Sequence, residues 1–391
     1  MSVHPHVHFE LVIINVPTEY WYHSTRKMRF SFAVLTTAVA TTSVVLQTCS
    51  AFSPSTAFVS RWSASASAST FATSSTLTSL NAIGVLARKA KEADIRSAIQ
   101  AGIPDNVMAL YKLIQENQNK EYIPAPPGPL QQVLTRRKGT ITIIAEYKRK
   151  LDGQSGFVAD IFDPEILSPT FREFGAAAIA VMADERMGGC TYNDLASFVE
   201  EQRRARNDVP GSVLVINNDL IVDELQVAQT AAIGVSAIVI TLDVVGESKC
   251  LDLLKAAHAV GVEAIVAVSS NEQAQSAVQL GARIISVVNV QGVDDKVACV
   301  KDLGDGVTTI ANILCNDNAQ MMEIEEAWIC RDKGFNAAWV SDALYKGSDS
   351  TEHPGAIIKS MAAKSSVKWA SAKAKNGKGE GAREYLGDIL M

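Results

Sequence analysis

Glu146 and Lys148 follow the apolar run Ile143-Ile144-Ala145 and stand two positions apart. In an extended strand alternate side chains share a face, so this acid and this base point the same way. A carboxylate and an ammonium turned into the interior of a sheet are costly to bury unless they meet each other or a ligand. The pair therefore reads as a binding or proton-transfer site. Other polar residues stand where later apolar runs end: Asp184 and Arg186, Asn218 and Asp219, Asp243, Asn289, Asn312, Ser341 and Asp342. For most of these a solvated loop position or a helix cap is account enough, as at Asp219 and Asp243.

The elements that must carry these residues alternate regularly. Short apolar runs at 141–145, 177–182, 213–216, 237–242, 264–268, 284–288, 308–313 and 337–340 read as strands, and between them lie amphipathic stretches such as 222–234, 249–260, 271–281 and 319–334. Several of these end in Gly, as helix C-termini prefer. Eight strands with seven intervening helices and another near 355–365 predict an α/β protein, a TIM (β/α)8 barrel, with an extra N-terminal helix over about 85–115. No G-x-G-x-x-G follows the first strand, which counts against a dinucleotide fold. In this barrel the chemistry belongs at the C-terminal ends of the strands, where the polar residues above are found.

Composition agrees with a well-buried α/β protein: 47% of the residues are hydrophobic and 20% charged. A net charge of -6 offers no general attraction to nucleic acid or to an anionic membrane surface. The six cysteines form no C-x-x-C pair and have no His-rich neighbourhood, so buried thiols are expected rather than a zinc site or a disulfide framework. No metal and no cofactor is indicated.

The first eighty residues read as an address. Met28-Arg29-Phe30, an apolar run through Gln47 and Cys49-Ser50-Ala51 have the layout of a signal peptide over 28–51, leaving 1–27 as an upstream extension. Residues 52–82 are rich in Ser, Thr and Ala and contain no Asp or Glu, the composition of a transit peptide. In tandem the two predict import into a plastid, with the mature protein in the stroma and free of membrane; a secreted protein with a Ser/Ala linker is the alternative. The barrel is expected over 83–367, and the Lys/Gly-rich stretch 368–391 is expected to be a solvated tail, with a docking element as the alternative.

The run Ile143-Ile144-Ala145-Glu146-Tyr147-Lys148-Arg149-Lys150 resembles the first strand of indole-3-glycerol phosphate synthase, a barrel enzyme of tryptophan biosynthesis that closes and decarboxylates a phosphorylated anilino-deoxyribulose. Phe174-Gly175-Ala176-Ala177-Ala178-Ile179, Asp219-Leu220-Ile221-Val222 with Gln226, and Gly281-Ala282-Arg283-Ile284-Ile285 follow in that family's order, so the resemblance covers about 83–365. It implies that Glu146 contacts the substrate and that Lys148 binds its carboxylate and organises charge. It also places Asn218 at the family's general-acid lysine, and an amide cannot donate a proton usefully near pH 7. The family's strand-five carboxylate aligns with Ala267, and its Asn-x-Arg after strand six with Val288-Asn289-Val290. No carboxylate survives around Ala311-Asn312-Ile313-Leu314. The phosphate loops read Cys315-Asn316-Asp317 and Ser341-Asp342, so Asn289, Asn312, Ser341 and Asp342 are the candidate substrate-binding residues, with Asp342 bringing a negative charge beside the phosphate.

Three functions are compatible with these residues. The first is the synthase reaction on a phosphorylated small-molecule substrate. The second is a catalytically impaired relative that binds a metabolite or a protein partner in the plastid. The third is a different reaction at the same polar mouth.

Overall fold

A computed structural model describes residues 72–124, 126–135, 140–150, 163–315, 320–345 and 354–363. The upstream extension, the signal peptide, most of the transit stretch, the loop 151–156, Asn316, Asp317 and the tail 368–391 lie outside the described residues.

Eight parallel strands close into a barrel in sequence order: β1 (Thr142–Tyr147), β2 (Ala178–Val181), β3 (Leu214–Asn217), β4 (Ala237–Thr241), β5 (Glu263–Val268), β6 (Ile284–Val287), β7 (Thr308–Ile313) and β8 (Ala337–Val340). β8 returns to β1 with Thr142 beside Ala337 and Ile144 beside Trp339. The expected strands are all present. Parallel pairing is possible here because helices cover the outer face of the sheet and bury what would otherwise be exposed.

The region expected as one N-terminal helix is two, α1 (Ala72–Ala101) and α2 (Asp105–Gln118). Gly102 takes a left-handed backbone, φ +99°, and Pro104 cannot continue a helix, so the chain turns between them. α1 also begins inside the stretch read as transit peptide. A short α3 (Pro129–Leu134) precedes β1; α4 (Pro164–Glu173), α5 (Tyr192–Arg204) and α6 (Glu224–Ile233) follow β1, β2 and β3. α7 (Leu242–Val245) and α8 (Glu247–Ala259) follow β4; α9 (Asn271–Gln279), α10 (Val293–Cys299), α11 (Gln320–Asp332) and α12 (Pro354–Met361) complete the ring.

Alternation along the strands divides the core. Inward residues Ile144, Ala180, Ile216, Val239, Ile265, Ile310 and Trp339 form one buried cluster, joined from below by Leu130 and Leu134 of α3. α3 is fixed at the strand starts: the Glu263 carboxylate accepts from the backbone N–H groups of Leu130 (2.6 Å) and Gln131 (3.0 Å), and Gln131 Nε2 donates to the Gly306 carbonyl (2.8 Å). Gly281 lets the N-terminal segment close on the same end. Its φ is +100°, and a Cβ there would stand 2.6 Å from the Tyr122 ring.

The outer layer holds a fully buried ammonium. Lys296 of α10 pairs with Glu326 of α11. Breaking such a pair from one side leaves an uncompensated charge in the interior, whereas removing both partners does not. Lys296→Met is expected to lower unfolding stability by about 3–5 kcal/mol. Adding Glu326→Leu should recover most of that loss in urea denaturation, and a double variant as unstable as the single one would refute this account.

Candidate active site

The mouth of the barrel is organised around Glu146. Strand alternation turns its side chain inward one step above Ile144, where water is excluded, and only 2% of the residue is exposed. Both oxygens are used: Trp339 Nε1 donates to Oε2 at 2.7 Å and Asn218 Nδ2 donates to Oε1 at 3.2 Å. The Tyr345 hydroxyl donates to the Glu146 carbonyl at 2.7 Å, fixing the strand end as well as the side chain. Burial raises the carboxyl above the usual range, against the opposing pull of Lys148, of the hydrogen bonds from Trp339 and Asn218, and of the nearby Ser341 hydroxyl. The group can thus hold a proton at a higher pH than an exposed glutamate.

Lys148 is buried too, and its ammonium pairs with the carboxylate of Asp342. Asp342 opens the 3-10 turn Asp342–Leu344 after β8, so the loop expected to cradle phosphate sends a carboxylate into the lysine instead. The acid and base two apart on β1 therefore do not share one bond. Glu146 looks to β3 and β8, and Lys148 to the loop after β8.

The other expected site residues are placed as follows. Asn312 lies half-buried on β7, in register with Trp339. Ser341 places its hydroxyl beside Glu146. Asn289 is exposed on the turn after β6, with a left-handed φ of +57°. Ala267 is buried in the inward cluster. Asp243 accepts from Ser269 Oγ (3.0 Å) and from Gln273 Nε2, bracing the loops after β4 and β5.

Three side chains that complete the mouth were not expected from the sequence. Trp339 supplies the shorter of the two hydrogen bonds to the Glu146 carboxylate, and its signal was a large aromatic at an inward position among small ones. Tyr345 lies in an irregular stretch that no periodicity marks. Lys91, on the N-terminal helix, pairs with Asp184 (2.6 Å) and Asp219 (2.5 Å) at the ends of β2 and β3, and nothing local to its sequence foretells contacts so far along the chain.

The remaining candidates for chemistry are quiet. Burial pushes the Cys190, Cys250 and Cys330 thiols up to about 12, far from reactive thiolates. A cavity of about 280 Å³ lined by Tyr122, His258 and Arg283 opens at the strand starts, the end of this barrel that serves stability.

Closed parallel strands with inward polar groups gathered at their C-terminal ends define a (β/α)8 barrel. A family model for indole-3-glycerol phosphate synthase matches residues 99–353. The chain belongs to the indole-3-glycerol phosphate synthase family. The indole-3-glycerol phosphate synthase of Leptospira interrogans is 29% identical over 183 residues, 46% of this chain and 69% of that protein. That of Chlorobium phaeovibrioides is 24% identical over 211 residues, 54% of this chain and 78% of that protein. Among solved structures, an N-acetylmannosamine-6-phosphate 2-epimerase from Clostridium perfringens is a loose likeness, with a TM-score of 0.41 and 16% identity over 58% of this chain and 95% of that one.

The raised Glu146 carboxyl has a consequence for stability. Its folded-state pKa lies above the ordinary 4.5 of an exposed glutamate, so its contribution is full below that value and is lost as pH rises through the raised one. Glu146→Gln keeps an acceptor for the Trp339 indole and has no proton to lose. The stability of the variant relative to the unsubstituted protein is therefore expected to increase as pH rises from 4.5 through the raised folded-state value. Thermal unfolding across that range checks this, and a difference that does not vary with pH rejects the assignment.

Proposed function

We propose that this protein serves the indole-3-glycerol phosphate step of tryptophan biosynthesis in the plastid stroma as a form of the synthase that still recognises the phosphorylated anilino-deoxyribulose but turns it over slowly. The observation that carries this reading is the buried mouth around Glu146, with the Trp339 indole and the Asn218 amide on its two oxygens and Lys148 beside it. An indole or anilino ring, a carboxylate and a phosphate suit a mouth that offers an aromatic wall, amide and hydroxyl donors, and a buried ammonium.

Recognition and turnover separate at Asn218 and Ala267. The amide of Asn218 can orient Glu146 but cannot protonate a leaving hydroxyl, and Ala267 offers no base. Loss of a general acid or base typically costs about 10²–10⁴-fold each. Burial raises the Glu146 carboxyl, as it does that of Asp219 past the end of β3, and of the two Glu146 is the one that strand alternation turns into the mouth, so any residual proton transfer falls to it.

A second reading is favoured by the Lys148–Asp342 pair. A carboxylate already bound to Lys148 occupies the place of the substrate's own, and a mouth closed in this way suits a binding module, for a metabolite or a protein partner, with no turnover.

The readings separate in two measurements on the mature protein: calorimetric titration with indole-3-glycerol phosphate, and a steady-state assay for its formation. Binding is expected, with a rate at least about 10²-fold below that of the Leptospira relative and a gain on Asn218→Lys. A rate equal to the relative's rejects impaired turnover. Binding with no rate, even after Asn218→Lys, selects the pure binding module. Absence of both rejects recognition of this substrate.

A further inference from the structure

The N-terminal helix presents one face to the barrel. Gly84, Arg88, Lys91 and Ile95 are spaced three to four residues apart, so they share a stripe. Arg88 Nη1 reaches the Val244 carbonyl in α7 (3.5 Å), a Cβ on Gly84 would touch the Val244 side chain at 3.6 Å, and Ile95 packs against the buried cluster beneath. Asp94, beside this stripe, receives both guanidinium nitrogens of Arg186 at 2.7 Å each. The helix is thus moored to the loops that follow β2 and β4, on the end of the barrel where the mouth opens.

Lys91 is the buried member of that stripe. Its ammonium is shared between the Asp184 carboxylate after β2 and the Asp219 carboxylate after β3. Each carboxylate is the hub of a loop that leads to one of the mouth's two groups. Asp219 Oδ2 accepts from Tyr192 (3.0 Å) and Gln226 (3.1 Å), and its N–H donates to Asn217 Oδ1 (3.1 Å), so both neighbours of Asn218 are pinned while Asn218 reaches Glu146. Asp184 Oδ1 accepts from the N–H groups of Arg186 (2.8 Å) and Met187 (2.9 Å), folding a turn whose Gly188 carbonyl accepts from the N–H groups of Arg149 (2.7 Å) and Lys150 (3.1 Å). Those two residues directly follow Lys148.

We infer that Lys91 is a positioning residue for the mouth: one ammonium, brought by a helix outside the barrel, fixes both the Asn218–Glu146 corner and the backbone that carries Lys148. The N-terminal helix is on this account a working part of the site. Lys91 acts through its two carboxylates and does not touch substrate, since its ammonium is already taken up by them. The electrostatics agree. Burial works against the Lys91 charge, but Asp219 and Asp184 more than offset it and hold the lysine above its ordinary range. Without Lys91 two buried carboxylates on adjacent strands would face each other with no counterion.

The test uses native-state hydrogen exchange on the full mature chain, read residue by residue, beside titration with indole-3-glycerol phosphate. In Lys91→Met the amides of Arg186, Met187, Asn218, Asp219 and Leu220 are expected to lose protection by at least about 100-fold, with those of β5 and β6 unchanged. Lys91→Arg should restore protection at these amides. Lys91→Met with Asp219→Asn keeps the cluster's net charge and so guards against a single variant that fails to fold. It should leave the β2 and β3 loops unprotected in a folded barrel. Uniform loss of protection across the barrel, or none at the two loops, overturns the assignment. The ligand arm rests on the proposed function: affinity should fall at least about 10-fold in Lys91→Met and return in Lys91→Arg. If the unsubstituted protein does not bind, the recognition reading fails by itself, and the exchange data still decide the role of Lys91.

Discussion

Closure of the barrel is the constraint on which the mouth depends. A closed parallel sheet leaves no edge, so every inward side chain beyond the apolar layers must find its partner among the other strand ends. Glu146 finds one on β8 and one just past β3. These partners come from opposite directions around the ring, because β8 adjoins β1 on one side and β3 lies two strands away on the other. The carboxyl thus ties together three parts of the barrel that share no local sequence. An unpartnered carboxylate at this depth would cost several kcal/mol, which is why its neighbours are donors.

The same constraint explains which features were legible in the sequence. The eight strands could be read because each is buried on both faces, by the barrel interior on one side and by helices on the other, and so runs as a short apolar stretch. The inward direction of Glu146 and Lys148 could be read because parity along a strand is fixed by the backbone. Partners were harder. Lys148 and Asp342 were both singled out, but nothing in their types or spacing says that they meet, since the contact depends on how the β8 turn folds back over β1. Trp339 could be placed on a strand and on its inner side, yet its hydrogen bond to Glu146 follows from the stagger between β1 and β8, which sequence does not specify. Lys91 was hidden for a different reason. On an amphipathic helix a lysine among alanines and charged residues looks solvated, and only the packing of the helix across the strand ends buries it.

Substitutions at a barrel mouth do not affect stability and chemistry alike. A catalytic site concentrates like charges and unsatisfied donors, so an uncharged side chain at the mouth, such as Ala267 or Asn218, carries none of the desolvation cost that a buried charge would carry there. Asp342 works in the same direction, because it gives the retained Lys148 a permanent counterion. Both Glu146 and Lys148 thus have partners within the protein.

A ligand must then compete with the protein's own side chains. Any carboxylate that approaches Lys148 meets Asp342 already on the ammonium and must share it or displace it; a displaced Asp342 must find water or another donor. Where Asp342 is displaced, its loss of that ion pair offsets most of the gain made by the incoming group, so net affinity depends on what the ligand adds elsewhere in the mouth. A mouth whose Glu146 and Lys148 both have partners within the protein sets the same condition for any ligand: its groups must replace those contacts before they add to affinity.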